Sequence, residues 1–180
     1  MSFARVRALV VIGVLAVAAV VFVVVALVRD SQSDAATGVS CPPGSVMADV
    51  RLPEPKEVKI RVFNATSTAG LADNVTNDFK NRKFLTQKPR DNNKVVDKVA
   101  VLRFGPQAVG DAQLLRAYFL DEADTEYDAK RKGDVVDVII GSQFRQLATT
   151  TEVNQALVEL GEPEVPPGAC PQPVKKAAGR

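Results

Sequence analysis

From Ala8 to Val28 the chain carries no charged or strongly polar side chain. At ~1.5 Å of rise per residue such a run makes a helix of roughly 31 Å, enough to cross the ~30 Å hydrocarbon core of a bilayer. Arg5 and Arg7 precede it, whereas Arg29 is followed at once by Asp30. That bias predicts a cytoplasmic N-terminus with everything from about Asp30 onward outside. A cleaved signal peptide would have a core of ~7–15 residues and a small-x-small site. Val25-Ala26-Leu27-Val28-Arg29 is a poor one, and Cys41 lies too far behind Val28 for a lipoprotein. A buried core helix is disfavoured because every face is apolar. The segment reads as an uncleaved single-pass anchor.

Of the 23 Lys+Arg only Arg5 and Arg7 precede the run, so from Arg29 onward the basic residues balance the 21 Asp+Glu and leave no formal net charge. This length suits one domain with a real core. Neutrality and the expected compartment give no reason to expect a nucleic-acid partner.

Cys41 precedes Pro42-Pro43-Gly44, and Cys170 sits between Pro166-Pro167-Gly168-Ala169 and Pro171. Each marks a stiff, turn-rich border. Paired, they would close a loop for which chain entropy gives at most about 5 kcal/mol. Two free thiols or an intermolecular bridge are the alternatives. Two isolated Cys and no His make a metal site unlikely, and no cofactor is expected.

Between these borders strand-like and helix-like patterns alternate. Val58 to Phe63 has period 2, with Val58, Ile60 and Val62 on one face and Lys59, Arg61 and Phe63 on the other. Asn64 to Gly70 supplies turn and cap residues, and Leu71, Ala72, Val75 and Phe79 then recur at helical spacing to about Lys83. Phe84–Gln87 is a short strand, Pro89 to Asn93 a polar loop, and Val99–Phe104 a third strand. Gly105-Pro106 opens a second helix bearing Ala108, Ala112, Leu115 and Phe119. Asp121 to Asp128 reads as an acidic loop and Val135–Ile140 as the last strand. The order β-α-β-β-α-β predicts an α/β (α+β) fold of split-βαβ type, with two helices on one face of a four-stranded antiparallel sheet and the first and third strands central. Thr149 to Glu152 is a capping-box signature for an extra C-terminal helix ending at Gly161.

Val62-Phe63-Asn64-Ala65-Thr66, Ala69-Gly70-Leu71-Ala72, Leu102-Arg103-Phe104-Gly105-Pro106 and Val136-Asp137-Val138-Ile139-Ile140-Gly141-Ser142-Gln143-Phe144 together resemble the LytR C-terminal domain family. The family pattern has Gly at Ala65, Tyr at Phe104 and Asp at Gln143. The expected layout is a cytoplasmic end (1–7), the anchor (8–28), a stalk with Cys41 (29–56), the LytR C-terminal-like domain (57–145), a C-terminal helix with Cys170 (146–170) and a disordered tail (171–180). This layout is similar to that of the actinobacterial envelope integrity proteins. The resemblance implies support of cell-envelope integrity through non-catalytic binding of an envelope component or partner protein. An enzyme, or the obligate partner of one, in cell-wall glycopolymer transfer is the alternative.

The residues offer little for catalysis. Without His, Ser-His and Cys-His nucleophile systems are excluded. Asp121, Glu122, Asp124, Glu126 and Asp128 read as a solvated acidic loop rather than acid/base machinery. Three features suit binding. Asn64, Thr66, Ser67 and Gly70 have the residue types of an anion-binding loop at a helix N-terminus, although a capped turn in which Gly70 allows close packing is the favoured reading. Lys59, Arg61 and Phe63 would share an uncovered sheet face suited to a sugar chain bearing phosphate or carboxylate, unless the C-terminal helix or the stalk covers it. Lys80, Arg82, Lys83, Lys88, Arg90, Lys94, Lys98 and Arg103 face only Asp91 and Asp97, an excess suited to anionic lipid or a phosphate-bearing wall polymer, although an ordinary solvated face with ion-pair partners elsewhere in the chain is the favoured reading.

Overall fold

The computed structural model describes Gly13, residues 16–24 and residues 41–172. The chain divides into two units, Met1–Cys41 and Pro42–Arg180. In the first, residues 16–24 are helical, with Val17, Val20, Val21, Phe22, Val23 and Val24 each more than half exposed. Among the described residues no helix is long and apolar enough to cross a membrane. Residues 8–12, 14, 15 and 25–28 of the expected anchor lie outside the described residues, as do residues 1–7, 29–40 and 173–180.

In the second unit β1 (Val46–Ala48) leads through a 3-10 turn at Pro55–Glu57 to β2 (Lys59–Asn64). Period-2 alternation buries Val58, Ile60 and Val62 completely, while Lys59 stays exposed and Arg61 and Phe63 half-buried. α1 (Leu71–Asn81) follows, burying Ala72, Val75 and Phe79 at helical spacing. Next come β3 (Leu85–Thr86), β4 (Arg90–Asp91) and β5 (Ala100–Phe104). A 3-10 turn at Pro106–Ala108 feeds α2 (Val109–Tyr118), and then follow β6 (Ala123–Tyr127), β7 (Val135–Ile140), α3 (Thr150–Leu160) and β8 (Ala169–Pro171). The capping box at Thr149 and Glu152 is formed, and α3 ends at Gly161 with φ 66°.

The fold is α+β, but its sheet differs from the split-βαβ expectation. Six strands run in the order β3-β2-β7-β5-β6, with β4 also on β2. Every pairing is parallel except β5 with β7. The last strand, which a split-βαβ sheet places at an edge, sits in the centre. Its composition explains this: Val136, Val138 and Ile140 are fully buried and Ile139 nearly so, as a strand flanked by neighbours on both edges allows. The segment read as an acidic loop contains β6, parallel to β5 across α2. Charged side chains suit such an edge, where Glu126 lies opposite Arg103 and pairs with it at 2.8 Å. Within the polar loop Pro89–Asn93, Arg90 and Asp91 form β4, which continues the line of β3 along β2 after a break at Gln87, Lys88 and Pro89.

Both helices and α3 pack on one face. Val75, Phe79, Leu115, Val153 and Ala156 join Ile60, Val62, Leu102, Val136, Val138 and Ile140 in the main core. The segment before β2 belongs to the same body: Ala48 is fully buried, β1 pairs in parallel with β8, and Gly110 donates to the Asp49 carbonyl at 3.0 Å. A Cβ at Gly110 would collide with the Arg51 carbonyl, and one at Gly141 with that of Lys98, so close backbone approach dictates both glycines.

Candidate functional site

Lys59, Arg61 and Phe63 lie on the face of β2 away from the helices. Ala65, Val101 and Ile139, with Phe63 and Val96, make a small second cluster there, and no helical residue joins it. α3 therefore does not cover this face; Val153, Ala156, Leu157 and Leu160 belong to the opposite side.

The cations on this face have carboxylate partners within the chain. Arg61 lies opposite Asp137 across the β2–β7 ladder and donates through Nε and Nη2 to Asp137 Oδ1 at 3.0 and 2.9 Å. Arg131 reaches Oδ2 of the same carboxylate at 2.8 Å. Both oxygens of a nearly buried Asp137 are thus held by guanidinium groups, which offsets its loss of water. The Arg61 guanidinium also sits 5.1 Å from the Phe63 ring centroid. Lys59 pairs with Asp134 at 2.8 Å, and that bond first, then the charge of Asp134, raises its pKa. Arg103 and Glu126 extend the line of charges to β6. An anion would have to displace an existing partner to use Lys59 or Arg61.

The Asn64–Gly70 loop is tied by its own side chains. Asn64 Oδ1 accepts from Thr66 N–H at 3.1 Å and Thr66 Oγ1 at 2.8 Å, while its Nδ2 donates to the Thr68 carbonyl at 2.8 Å. Thr66 Oγ1 accepts from Thr68 N–H at 3.0 Å. Such bonds brace a strand-to-helix turn. Ser67 is exposed. Gly70 has φ +74° and nothing within 4 Å of a virtual Cβ, so backbone conformation and not close packing explains it. The loop and the Arg61 face share β2 but do not merge into one cluster of free polar groups.

The basic stretch divides differently. Arg82 binds Asp78 at 2.9 Å and stacks over Tyr118, Lys98 pairs with Asp124, and Arg103 with Glu126. Lys80, Lys83, Lys88, Arg90 and Lys94 are exposed and have no ion-pair partner among the described residues. They belong to the C-terminal end of α1 and to the β3–β4 margin and the loop after it. These five cations are strung along the β3–β4 margin of β2, from the end of α1 to the loop after β4.

Asp111, Asp137, Arg131 and Asp134 were not singled out by sequence reasoning. A lone acid inside the apolar run Val135–Ile140 was the available signal for Asp137. Asp111, in the first turn of α2, has its pKa raised to about 7 by burial and then by the charges of Asp134, Asp49 and Glu57, with Arg51 opposing. Neither cysteine is free; Cys41 and Cys170 are disulfide-bonded.

Residues 57–144 match the family described as LytR cell envelope-related transcriptional attenuator. The soluble domain of a conserved hypothetical secreted protein from Mycobacterium marinum, an Rv2700 ortholog, has a similar fold, with a TM-score of 0.50 and 23% identity over 67% of this chain and 83% of that one. No curated protein matches significantly. The match begins just before β2 and ends just after β7, taking in the six-stranded sheet with α1 and α2; this folded unit belongs to the LytR C-terminal domain family.

Proposed function

We propose that the chain is a single-pass membrane protein, cytoplasmic at its N-terminus, whose extracytoplasmic domain supports cell-envelope integrity by binding an anionic envelope component without catalysis. The observation that carries the reading is the group of uncompensated cations Lys80, Lys83, Lys88, Arg90 and Lys94. A margin lined with positive charge that has no internal partner attracts phosphate-bearing polymer or anionic lipid. Support for the anchor comes from the apolar run Ala8–Val28, the exposed apolar side chains of residues 16–24 and the Arg5/Arg7 bias. The family's envelope-related description and the secreted character of the Mycobacterium marinum protein fit a domain outside the cytoplasm. They also fit the resemblance to envelope integrity proteins of the Cei type. On this reading Lys59, Arg61 and Phe63 offer an aromatic surface whose cations are already balanced, and Asn64, Thr66, Ser67 and Gly70 shape the turn beside it.

A reporter fused after Arg180 is expected to give an extracytoplasmic signal. Detergent-solubilised full chain is expected to pellet with isolated envelope at low salt, and Lys88→Glu/Arg90→Glu/Lys94→Glu to abolish this. A cytoplasmic signal, or undiminished pelleting by the triple variant, overturns the proposal. In-cell crosslinking then separates lipid, glycopolymer and protein as the bound component.

A further inference from the structure

An open cleft of about 850 Å³ lies between the C-terminal end of α2, the approach to β5 and the segment following β7. None of the unpaired cations of the β3–β4 margin lines it. Its size falls within the ~300–1,000 Å³ of small-molecule sites.

The lining chemistry is mixed. Asp97 is fixed by Ser142 Oγ at 2.8 Å and Gln143 Nε2 at 3.3 Å, and both bonds fall on Oδ1. Oδ2 keeps its acceptor capacity. Glu122 and Arg145 are exposed, and their side chains have no ion-pair or hydrogen-bond partner among the described residues. The Phe144 ring is half-buried and braced against Phe119, with centroids 6.0 Å apart at 64°. At the cleft wall the backbone is strained: Leu120 has φ +52°, and Asp121, adjoining it, has φ +62°. Arg116 pins Asp121 at 2.6 Å, while Leu120 stays 46% exposed. Two consecutive left-handed residues without glycine are held there against local preference.

Three carboxylates, Asp97, Glu122 and Asp124, face only Lys98 and Arg145 in this cleft, so a polyanion is disfavoured. A fixed acceptor at Asp97 and the unpaired Glu122 and Arg145 beside a braced aromatic ring suit a neutral, hydroxyl-rich ligand. A sugar whose hydroxyls are all equatorial presents an apolar C–H face to such a ring and its hydroxyls to the rim. We propose that this cleft binds a neutral, β-linked gluco-configured glycan segment: Phe144 is the stacking platform, Asp97, Glu122 and Oε1 of Gln143, whose amide N–H groups are held by Asp97, accept from hydroxyls, and Arg145 donates. The site is separate from the cationic margin, and the inference rests on the domain lying outside the cytoplasm, where such glycans occur.

The test is an NMR titration of isotopically labelled full chain in detergent micelles with cellotetraose and with tetra-N-acetylchitotetraose, using tripolyphosphate as the anionic comparison. At least one oligosaccharide is expected to give saturable shifts at Asp97, Lys98, Glu122 and Gln143 to Arg145, with Kd below about 1 mM. Glu122→Ala/Gln143→Ala, both at exposed positions, is expected to weaken binding at least ~10-fold. Phe144→Leu, which keeps apolar packing and removes the ring, is expected to do the same. Absence of shifts with both sugars, shifts that tripolyphosphate reproduces, or binding unchanged in the double variant overturns the proposal. A negative titration leaves the envelope reading standing, because the reporter and pelleting experiments decide that separately.

Discussion

Replacing Asp111 by Asn isolates one buried charge. Asp111 faces Asp134, Asp49 and Glu57, with Arg51 as the opposing cation and Lys59 close enough to feel its charge. Its pKa rises from 3.8 to about 7 on folding, so between those values the folded chain holds a proton that the unfolded chain has released. Stability linked to this group is therefore fully present below pH ~4, declines as pH rises and is lost above pH ~7. The shift corresponds to a ceiling of about 4 kcal/mol at 1.36 kcal/mol per unit. Water still reaches this half-buried side chain, which reduces the expectation to about 1–3 kcal/mol. Asn reproduces the shape of the protonated acid without its titration. In urea denaturation followed by circular dichroism, wild type and Asp111→Asn are expected to coincide near pH 4 and to diverge progressively, the variant being more stable at pH 8.5. The corresponding gain in Tm is roughly 3–10 °C. Parallel pH profiles, or a variant less stable at pH 8.5, would refute the assignment of a buried, repelled carboxylate.

Gly110→Ala and Gly141→Ala each force a methyl group into a carbonyl oxygen and are expected to cost about 1–3 kcal/mol or more by denaturant midpoint; a change below about 0.5 kcal/mol would remove the close-approach explanation. Cys41→Ser/Cys170→Ser is expected to lose about 2–5 kcal/mol, and mass spectrometry of non-reduced wild type to find one intramolecular bridge, which free thiols would contradict. Asp137→Ala strips two guanidinium groups of their carboxylate and is expected to cost about 3 kcal/mol, part of which Arg61→Met should restore; an unchanged melting temperature would mean the pair contributes nothing. Leu120→Gly relieves a left-handed backbone at little loss of burial and is expected to stabilise by about 1 kcal/mol, so a destabilised variant would show that the side chain packs more than its exposure suggests.

Much of the fold was legible because burial imposes a period. β2, α1, α2, β7 and α3 lie where alternation, helical spacing, Pro106 and the Thr149–Glu152 box place them. Strand order was not legible in the same way. Nothing local to Val135–Ile140 states which neighbours it has, although its near-unbroken burial marks a central position. β6 escaped notice because Asp124, Thr125 and Glu126 are all exposed, so no buried stripe reveals the strand. Its parallel pairing with β5 across α2 adds to a sheet in which β2 already pairs in parallel with β3, β4 and β7.

The candidate site was less legible because charge patterns do not display their partners. Arg82 with Asp78 is visible at helical spacing, but Lys59 finds Asp134 75 residues away and Arg61 finds Asp137 76 residues away. A cation, an apolar residue, a cation and an aromatic ring along one strand look alike whether the charges await a ligand or close a ladder within the sheet. Chain folding separates the two cases by supplying or withholding a carboxylate. Lys59, Arg61, Lys98 and Arg103 are supplied, and their task includes holding the uncovered face of the sheet together. Lys80, Lys83, Lys88, Arg90 and Lys94 receive none among the described residues, and they follow one another along the margin formed by β3, β4 and the segments flanking them. With no internal partner to give up, they can meet an anion without breaking an existing bond, which the paired cations cannot do.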